Sequence, residues 1–354
     1  MLIPIKNNEE WNKIIRVVLG NYDVYHLAEY HLLSKEQREG EPYLFFYSHG
    51  DHVAALPFLR RPLSNVKGLE HFKQYDATSA YGYPGLLASI LPSDANAKEF
   101  KAGFQESLYN TLRDLDIITF FIRQNPLFDT SWLMESIAEV VSLGHTVALN
   151  LTLSNDEQIR QMTKGHRYDI RKAREKGVTG KEVDFYEYID VFINIYSDTM
   201  LRSKARDFYF FSKEYYLRLK KNLGNLVKLY IAELNDIPIS ASIFLLSEKV
   251  VQYHLSGTLS KYLSLSGSKV IIDEVRKWAS SKNMSWLHLG GGVGSNEDSL
   301  FCFKAGFSHD RFEFKIIKYV IDPVTYQQAI ENSDNVKKSN LRGSDFFPLY
   351  RIPI

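Results

Sequence analysis

The chain has 354 residues, 45% hydrophobic and 24% charged, the composition of an ordinary globular protein whose length implies about two domains. A formal net charge of +1 argues against a surface built throughout for nucleic acid, and a single cysteine, Cys302, excludes an internal disulfide and a cysteine-only metal site. The opening MLIPIKNNEEW has no apolar run of the signal-peptide kind, and no stretch of about 18 apolar residues occurs, so the expectation is a cytoplasmic protein without a transmembrane segment.

In chain order, a helix is predicted around Glu10 to Leu19, then strands Tyr43 to Tyr47 and Val53 to Leu59 about a tight turn at His49-Gly50-Asp51-His52. Gln74-Tyr75-Asp76 leads into Ser79-Ala80-Tyr81-Gly82-Tyr83-Pro84-Gly85, aromatics held by glycine and proline. A helix from Ala95 to Leu115, strand Ile117 to Ile122, helix Ser131 to Val141 and strand Thr146 to Leu151 complete the first half.

The second half repeats this order in other letters. Helices Asp156 to Lys176 and Glu187 to Leu201 precede strands Val227 to Ala232, Ile239 to Leu246 and Val250 to Leu255, with turns at Asn235-Asp236 and Glu248-Lys249. Helix Gly267 to Ser281, the stretch Ser285 to Phe307 and strand Glu313 to Tyr319 follow. The expected class is α/β with mixed sheets flanked by helices, built twice: one domain over 1–150, a second over 151–321, and a tail over 322–354, carrying Ser-Asp-Asn and Gly-Ser-Asp punctuation, that could fold back on the first domain.

The stretch SWLHLGGGVGSNEDSLFCFKAGF concentrates the chemistry. Trp286 to Leu289 reads as a buried strand that breaks at Gly290-Gly291-Gly292, where no side chain keeps backbone or ligand away. Ser295-Asn296-Glu297-Asp298 supplies N-cap chemistry for a short helix closed by Ala305-Gly306-Phe307, which puts Lys304 beside an open loop. The segment Phe301 to Phe307 resembles the tail of GNAT acyltransferase domains, and L-G-G-G followed by E-D-S-L-F and F-K-A-G-F resembles the FemAB-like branch, whose members carry two GNAT-type domains and join an acyl or aminoacyl group to an amine.

The resemblance assigns Lys304 to a substrate phosphate or the developing oxyanion; the plain alternative is a lysine at a helix C-terminus. Lys164, Arg167, Arg171 and Arg174 are spaced to share one helix face, a cationic stripe for a pyrophosphate or RNA backbone, and the run His166-Arg167 to Ala173 is typical of the family; the alternative is a solvated face paired with Asp169 and Glu175. Asp76, Tyr81 and Tyr83 match a FemAB-like segment that lines a cleft, with aromatic packing as the alternative. Gly291 and Gly292 would admit a ligand, and Lys269 could bind an anion although Ser264 to Lys269 has a single glycine where a coenzyme A loop wants several. His288, His254, Glu297 and Asp298 are the candidate bases, against interior histidines and N-cap carboxylates. Cys302 stands where GNAT acetyltransferases commonly have a tyrosine that protonates the departing thiolate, and its apolar neighbours predict a buried, packing thiol.

The resemblance implies an acyltransferase without metal or permanently bound cofactor, using acyl-CoA or aminoacyl-tRNA as donor and an amine of a nucleotide- or lipid-linked glycan, a cell-envelope or polysaccharide precursor, as acceptor. Peripheral membrane contact stays open, and the helical arm that some members carry for tRNA is not legible. The rival expectations are a non-catalytic module that binds a nucleotide-linked glycan and a protein that binds RNA.

Overall fold

Apolar residues at two spacings, alternate or continuous in strands and three to four apart in helices, set the elements. The first half contains β1 (Leu2–Pro4), α1 (Asn8–Lys13), α2 (Ala28–Glu36), β2 (Glu41–His49), β3 (His52–Pro62), β4 (Tyr75–Thr78), β5 (Leu87–Ala88), α3 (Ala97–Asp114), β6 (Ile117–Arg123) and β7 (Glu139–Asn150). The second contains α4 (Asn155–Gln161), α5 (Lys164–Glu175), β8 (Thr179–Val183), α6 (Phe185–Arg202), α7 (Lys213–Leu223), β9 (Val227–Leu234), β10 (Ile237–Leu246), β11 (Val250–Thr258), α8 (Gly267–Ser281), β12 (Trp286–Gly290), α9 (Ser299–Ala305), β13 (Arg311–Val320), α10 (Pro323–Asn332) and α11 (Asp334–Lys338). This computed structural model describes residues 1–339 and 345–353, so the Gly343-Ser344 part of the predicted tail punctuation lies outside the described residues. No helix among the described residues is long and apolar enough to cross a membrane.

The chain divides into two compact units, Met1–Leu143 with Phe314–Ile354, and Gly144–Glu313. In the first, β2 and β3 form the predicted hairpin, with Tyr43 opposite Phe58 and His49 opposite His52. Strand β4 runs parallel to β6 with α3 as the crossover, and Ile316 to Val320 of β13 pair antiparallel with β6. Helix α3 sends Phe100, Phe104, Leu108 and Leu112, four residues apart, into the core with Phe45, Phe58 and Phe120.

The second unit repeats the plan. Strands β9, β10 and β11 form an antiparallel meander, β8 edges it beside β9, and β11 runs parallel to β12 with α8 as the crossover. Val147 to Asn150 of β7 pair antiparallel with β12. Ile243 to Leu245 of β10 are fully buried, as a strand covered on both faces requires, and Val270, Ile271 and Val275 of α8 pack over it.

The end strand of each half thus serves the other unit. The strand predicted to finish the first half pairs with β12, the one predicted to finish the second pairs with β6, and the division falls after Leu143 and before Phe314 instead of near Leu151 and 322. The tail folds within the first unit: Asp334 N donates to Lys67 O, and Tyr350 packs on Leu63 and Ile118.

Two predicted helices change. Ser131 to Val141 makes only a 3-10 turn at Ser131–Leu133 before β7, because Ser136 takes a left-handed φ of 81° and Gln105 caps the carbonyls of Leu133 and Glu135 from α3. Asp156 to Lys176 is two helices, since Met162 is extended and Thr163 begins α5 as a fresh N-cap. Helices α2, α7, α10 and α11 are additions to the sequence reading.

Candidate active site

The second unit places a lysine at a core position of a short helix. On α9 the inward face carries Phe301 and, one turn later, Lys304, where the helical period calls for a hydrophobe. Lys304 is 9% exposed, and its Nζ donates at 2.6 Å to the Gly291 carbonyl at the end of β12. Among the described residues no carboxylate lies within ion-pair distance and Gly291 is its one hydrogen-bond acceptor, so two of the three ammonium N–H groups have no protein partner. Burial lowers its pKa from the ordinary lysine value to about 8, with Asp298 acting weakly against the shift. The side chain runs inward to the loop instead of capping the helix end, which the plain reading had required.

Asp298 holds the glycine loop to α9. Its carboxylate accepts from Phe301 N at 2.9 Å as N-cap and from Val293 N at 3.2 Å across the loop. A β-carbon on Gly292 would overlap both that carboxylate and the Asn296 carbonyl, so the close approach requires glycine there. The half-buried Gly291 supplies the carbonyl that Lys304 meets.

Strand β12 pairs with β11 from Val250/Trp286 to Gln252/His288, after which β11 continues to Thr258 without a β12 partner among the described residues.

Helix α5 meets α9 through His166. Its Nε2 donates at 2.8 Å to Phe303 O, the carbonyl immediately before Lys304, and its ring packs edge-on against Phe307. A β-carbon at Gly306 would fall inside that ring, and Thr163 N donates to Gly306 O at 2.9 Å. Burial, then the nearby Lys269 charge, lower the His166 pKa. The residue taken for a donor-binding group therefore positions α9. Lys269 binds Asp169 at 2.6 Å and approaches His166 Nδ1 at 3.5 Å, so its charge is neutralised within the protein and does not stand open for an anion.

The predicted stripe on α5 separates by use. Arg174 is taken by Asp273 and Glu274 of α8. Arg171 is exposed, 3.6 Å from Glu175, with its guanidinium over the Tyr168 ring. Lys164 and the half-buried Arg167 have no ion pair among the described residues and are the two cations of the stripe left for a ligand.

The charge of Lys304 reaches two of the candidate bases, His288 and Asp298. His288 is fully buried, Nδ1 donates to Gln252 Oε1 at 2.8 Å, and burial lowers its pKa to about 3. His254 is likewise lowered to about 3 by burial and lies 3.3 Å from the Tyr215 hydroxyl. Glu297 is exposed and faces His145 at 3.2 Å. Cys302 is exposed, contrary to the expected packing role, because its place beside Phe301 on α9 turns it outward.

In the first unit Asp76 is fully buried. Its carboxylate takes Arg61 Nε at 2.7 Å, the Tyr350 hydroxyl at 3.1 Å and Arg351, so it ties the tail to the sheet and has no free face for substrate. Tyr83 packs edge-on to Tyr25 and Phe314, which is the packing alternative, and Tyr81 is half-buried on the same segment. Sequence reasoning missed the clamps: Thr163 and Gly306 about His166, and Gln252 on His288. Gly306 carried a signal as the glycine of the glycine-phenylalanine pair; Gln252 carried none.

A FemAB family model matches residues 134–236 and 234–328, together more than half of the chain. The crystal structure of FemX superimposes with a TM-score of 0.67 at 13% identity, covering 91% of this chain and 98% of that one. The C-terminal domain of a putative lysylphosphatidylglycerol synthetase from Agrobacterium fabrum gives 0.55 at 14% identity over 92% and 96%, and L-PGS from Bacillus licheniformis gives 0.53 at 13% over 90% and 94%. These likenesses show the fold, and a comparison with curated protein sequences found no match. With the glycine loop, the inward lysine and two α/β units of one plan already established, the chain belongs to the FemAB family and is an acyltransferase of two tandem GNAT-like units.

Proposed function

We propose that the second unit transfers an aminoacyl group from aminoacyl-tRNA to a primary amine of a cell-envelope precursor, with Lys304 as the group that meets developing negative charge. The observation that carries this is the buried ammonium of Lys304, held by Gly291 O at 2.6 Å and otherwise without an acceptor among the described residues. A lone buried cation costs several kcal/mol, an arrangement that suits an anion arriving with the substrate.

In this reading the amine lone pair forms the N–C bond, the carbonyl oxygen becomes an oxyanion beside the Lys304 ammonium, and collapse breaks the C–O bond to the tRNA ribose. The amine proton passes to the departing oxygen or to water. His288 and His254 are poor bases at neutral pH, since burial lowers both to about 3. Lys164 and Arg167 would meet the donor or acceptor phosphates.

Two observations favour aminoacyl-tRNA over acyl-CoA. Lys269 at the start of α8 is already neutralised by Asp169, and Ser266, which begins that helix, makes no side-chain cap. Cys302 also stands in place of the tyrosine expected of ordinary acetyl-CoA catalysis. Membership of the FemAB family and the likeness to FemX support this choice of acceptor. Incubation with a panel of charged tRNAs and acyl-CoAs and amine-bearing glycan precursors, scored by product mass, tests the reading. Product from an aminoacyl-tRNA that is lost in Lys304→Met supports it; binding of a nucleotide-linked glycan with no product from any donor would establish the non-catalytic alternative.

A further inference from the structure

Strands β11 and β12 of the second unit run together for three rungs, Val250 with Trp286, Val251 with Leu287 and Gln252 with His288, and no further among the described residues. The last rung differs in kind from the one before it. Val251 and Leu287 are apolar and fully buried, whereas Gln252 and His288, 2% and 0% exposed, are polar and joined by the 2.8 Å bond from Nδ1 to Oε1. A buried amide and imidazole add little net stability over apolar side chains of the same shape; what a bonded pair supplies is a fixed geometry.

Just past that rung both strands bend. In β11 His254 is an extra residue against β10, with Tyr253 opposite Phe244 and Leu255 opposite Ile243. In β12 Leu289 is an extra residue against β7, with His288 opposite Ala148 and Gly290 opposite Val147. An extra residue kinks its strand and increases the local twist, so the Gln252–His288 bond sits at the point where the parallel pair parts. Gly290 follows with a left-handed φ of 75°, and the next carbonyl, Gly291 O, takes the Lys304 ammonium at 2.6 Å. The Lys304 charge is felt at the His288 ring, which places both in one neighbourhood.

We propose that the Gln252–His288 bond is a pin that fixes where β11 and β12 part and, through the end of β12, aims the Gly291 carbonyl and the Lys304 ammonium for transfer. Both are positioning residues, and neither gives or takes a proton in the reaction. The proposal deepens the transfer reading and rests on it for the role of Lys304. Because Lys304 there meets charge that develops only in the transition state, loosening the pin lowers kcat and leaves KM nearly unchanged.

The test is steady-state kinetics and amide hydrogen exchange on the intact chain and its His288→Leu, Gln252→Leu, His288→Asn and His288→Gln variants, with the aminoacyl-tRNA that gives product in the panel above. His288→Asn keeps an N–H close to the Nδ1 position, whereas His288→Gln moves it toward that of Nε2. The expected result is a kcat lower by about tenfold or more in either leucine variant with KM within about twofold, a double leucine variant no worse than the singles, and recovery to within about threefold of wild type in His288→Asn but not in His288→Gln. Amides of residues 289–293 should exchange at least about tenfold faster in the leucine variants while those of β9 and β10 keep their wild-type rates. Gln252→Leu gives the same loss by a second route should His288→Leu not fold. A wild-type kcat in Gln252→Leu, His288→Asn as impaired as His288→Leu, a raised KM at unchanged kcat, or exchange quickened evenly over the whole unit or nowhere would each overturn the pin. Exchange needs no turnover, so a wild type that makes no product from any donor fails the transfer reading, while local opening at 289–293 still supports the pin and its absence still overturns it.

Discussion

The Lys304 ammonium and the Gly291 carbonyl meet at 2.6 Å across thirteen residues of chain, so one charge-assisted bond joins the end of β12 to α9. A charge in that position opposes folding, because burial lowers its pKa and no carboxylate is within ion-pair reach among the described residues. Replacing it with methionine keeps the length of the side chain and removes the charge. Lys304→Met is expected to gain about 1–2 kcal/mol of unfolding free energy after the loss of the Gly291 bond while losing on the order of a hundredfold or more in transfer rate. Denaturant melts beside product formation check this; a variant that is both less stable and fully active would show that the lysine serves the fold alone.

The pH dependence of stability has a definite sign. The folded-state pKa of Lys304 is about 8 against an ordinary value of 10.5. Between those values the unfolded chain holds a proton that the folded chain has released, so stability rises with pH across that window, by up to about 3 kcal/mol. Buried tyrosines oppose this at the alkaline end, since Tyr216 and Tyr230 ionise less readily when folded. The measurement is therefore the difference between wild type and Lys304→Met in urea melts from pH 7 to pH 10. An advantage of the variant that shrinks and then reverses as pH rises is expected, and one independent of pH would mean that the ammonium is not desolvated.

His166 and Gly306 form a matched pair, the ring occupying the space a β-carbon would need. Gly306→Ala alone is expected to cost about 2–3 kcal/mol through that overlap, and His166→Ala a similar amount through the lost Phe303 bond and ring packing. In the double variant the alanine finds room, so the two losses should add to less than their sum by at least about 1 kcal/mol. Strict additivity in the melts would show that the ring has moved elsewhere.

What the sequence made legible was whatever local spacing controls. The hairpin at Gly50, helix α3 and the strand, glycine loop and short helix around Lys304 all follow from periodicity and punctuation within about twenty residues. The pairing of β7 with β12 and of β13 with β6 did not, because either strand satisfies the same local pattern beside β6 or beside β12 and only long-range pairing decides. The same limit governed the polar candidates. Asp76 and His166 sit in segments that resemble binding motifs, yet Arg351 lies 275 residues from the first and Phe303 137 residues from the second, and those distant partners turn both into structural groups.

Partner geometry also ranks the cations of α5. Arg171 already has Glu175 at 3.6 Å and the Tyr168 ring, whereas Arg167 is half-buried with no ion pair among the described residues. A charge already shared with a carboxylate and open to water gains little from a second anion, while a less solvated, unshared guanidinium gains the full charge-assisted bond. Arg167→Gln should raise the KM for the phosphate-bearing substrate by about tenfold or more with kcat nearly unchanged, and flatten its dependence on salt, whereas Arg171→Gln should change it less than about threefold. Steady-state kinetics at two ionic strengths separates them. Equal effects from the two changes would mean that the helix acts as a diffuse field, with no single arginine reaching the substrate.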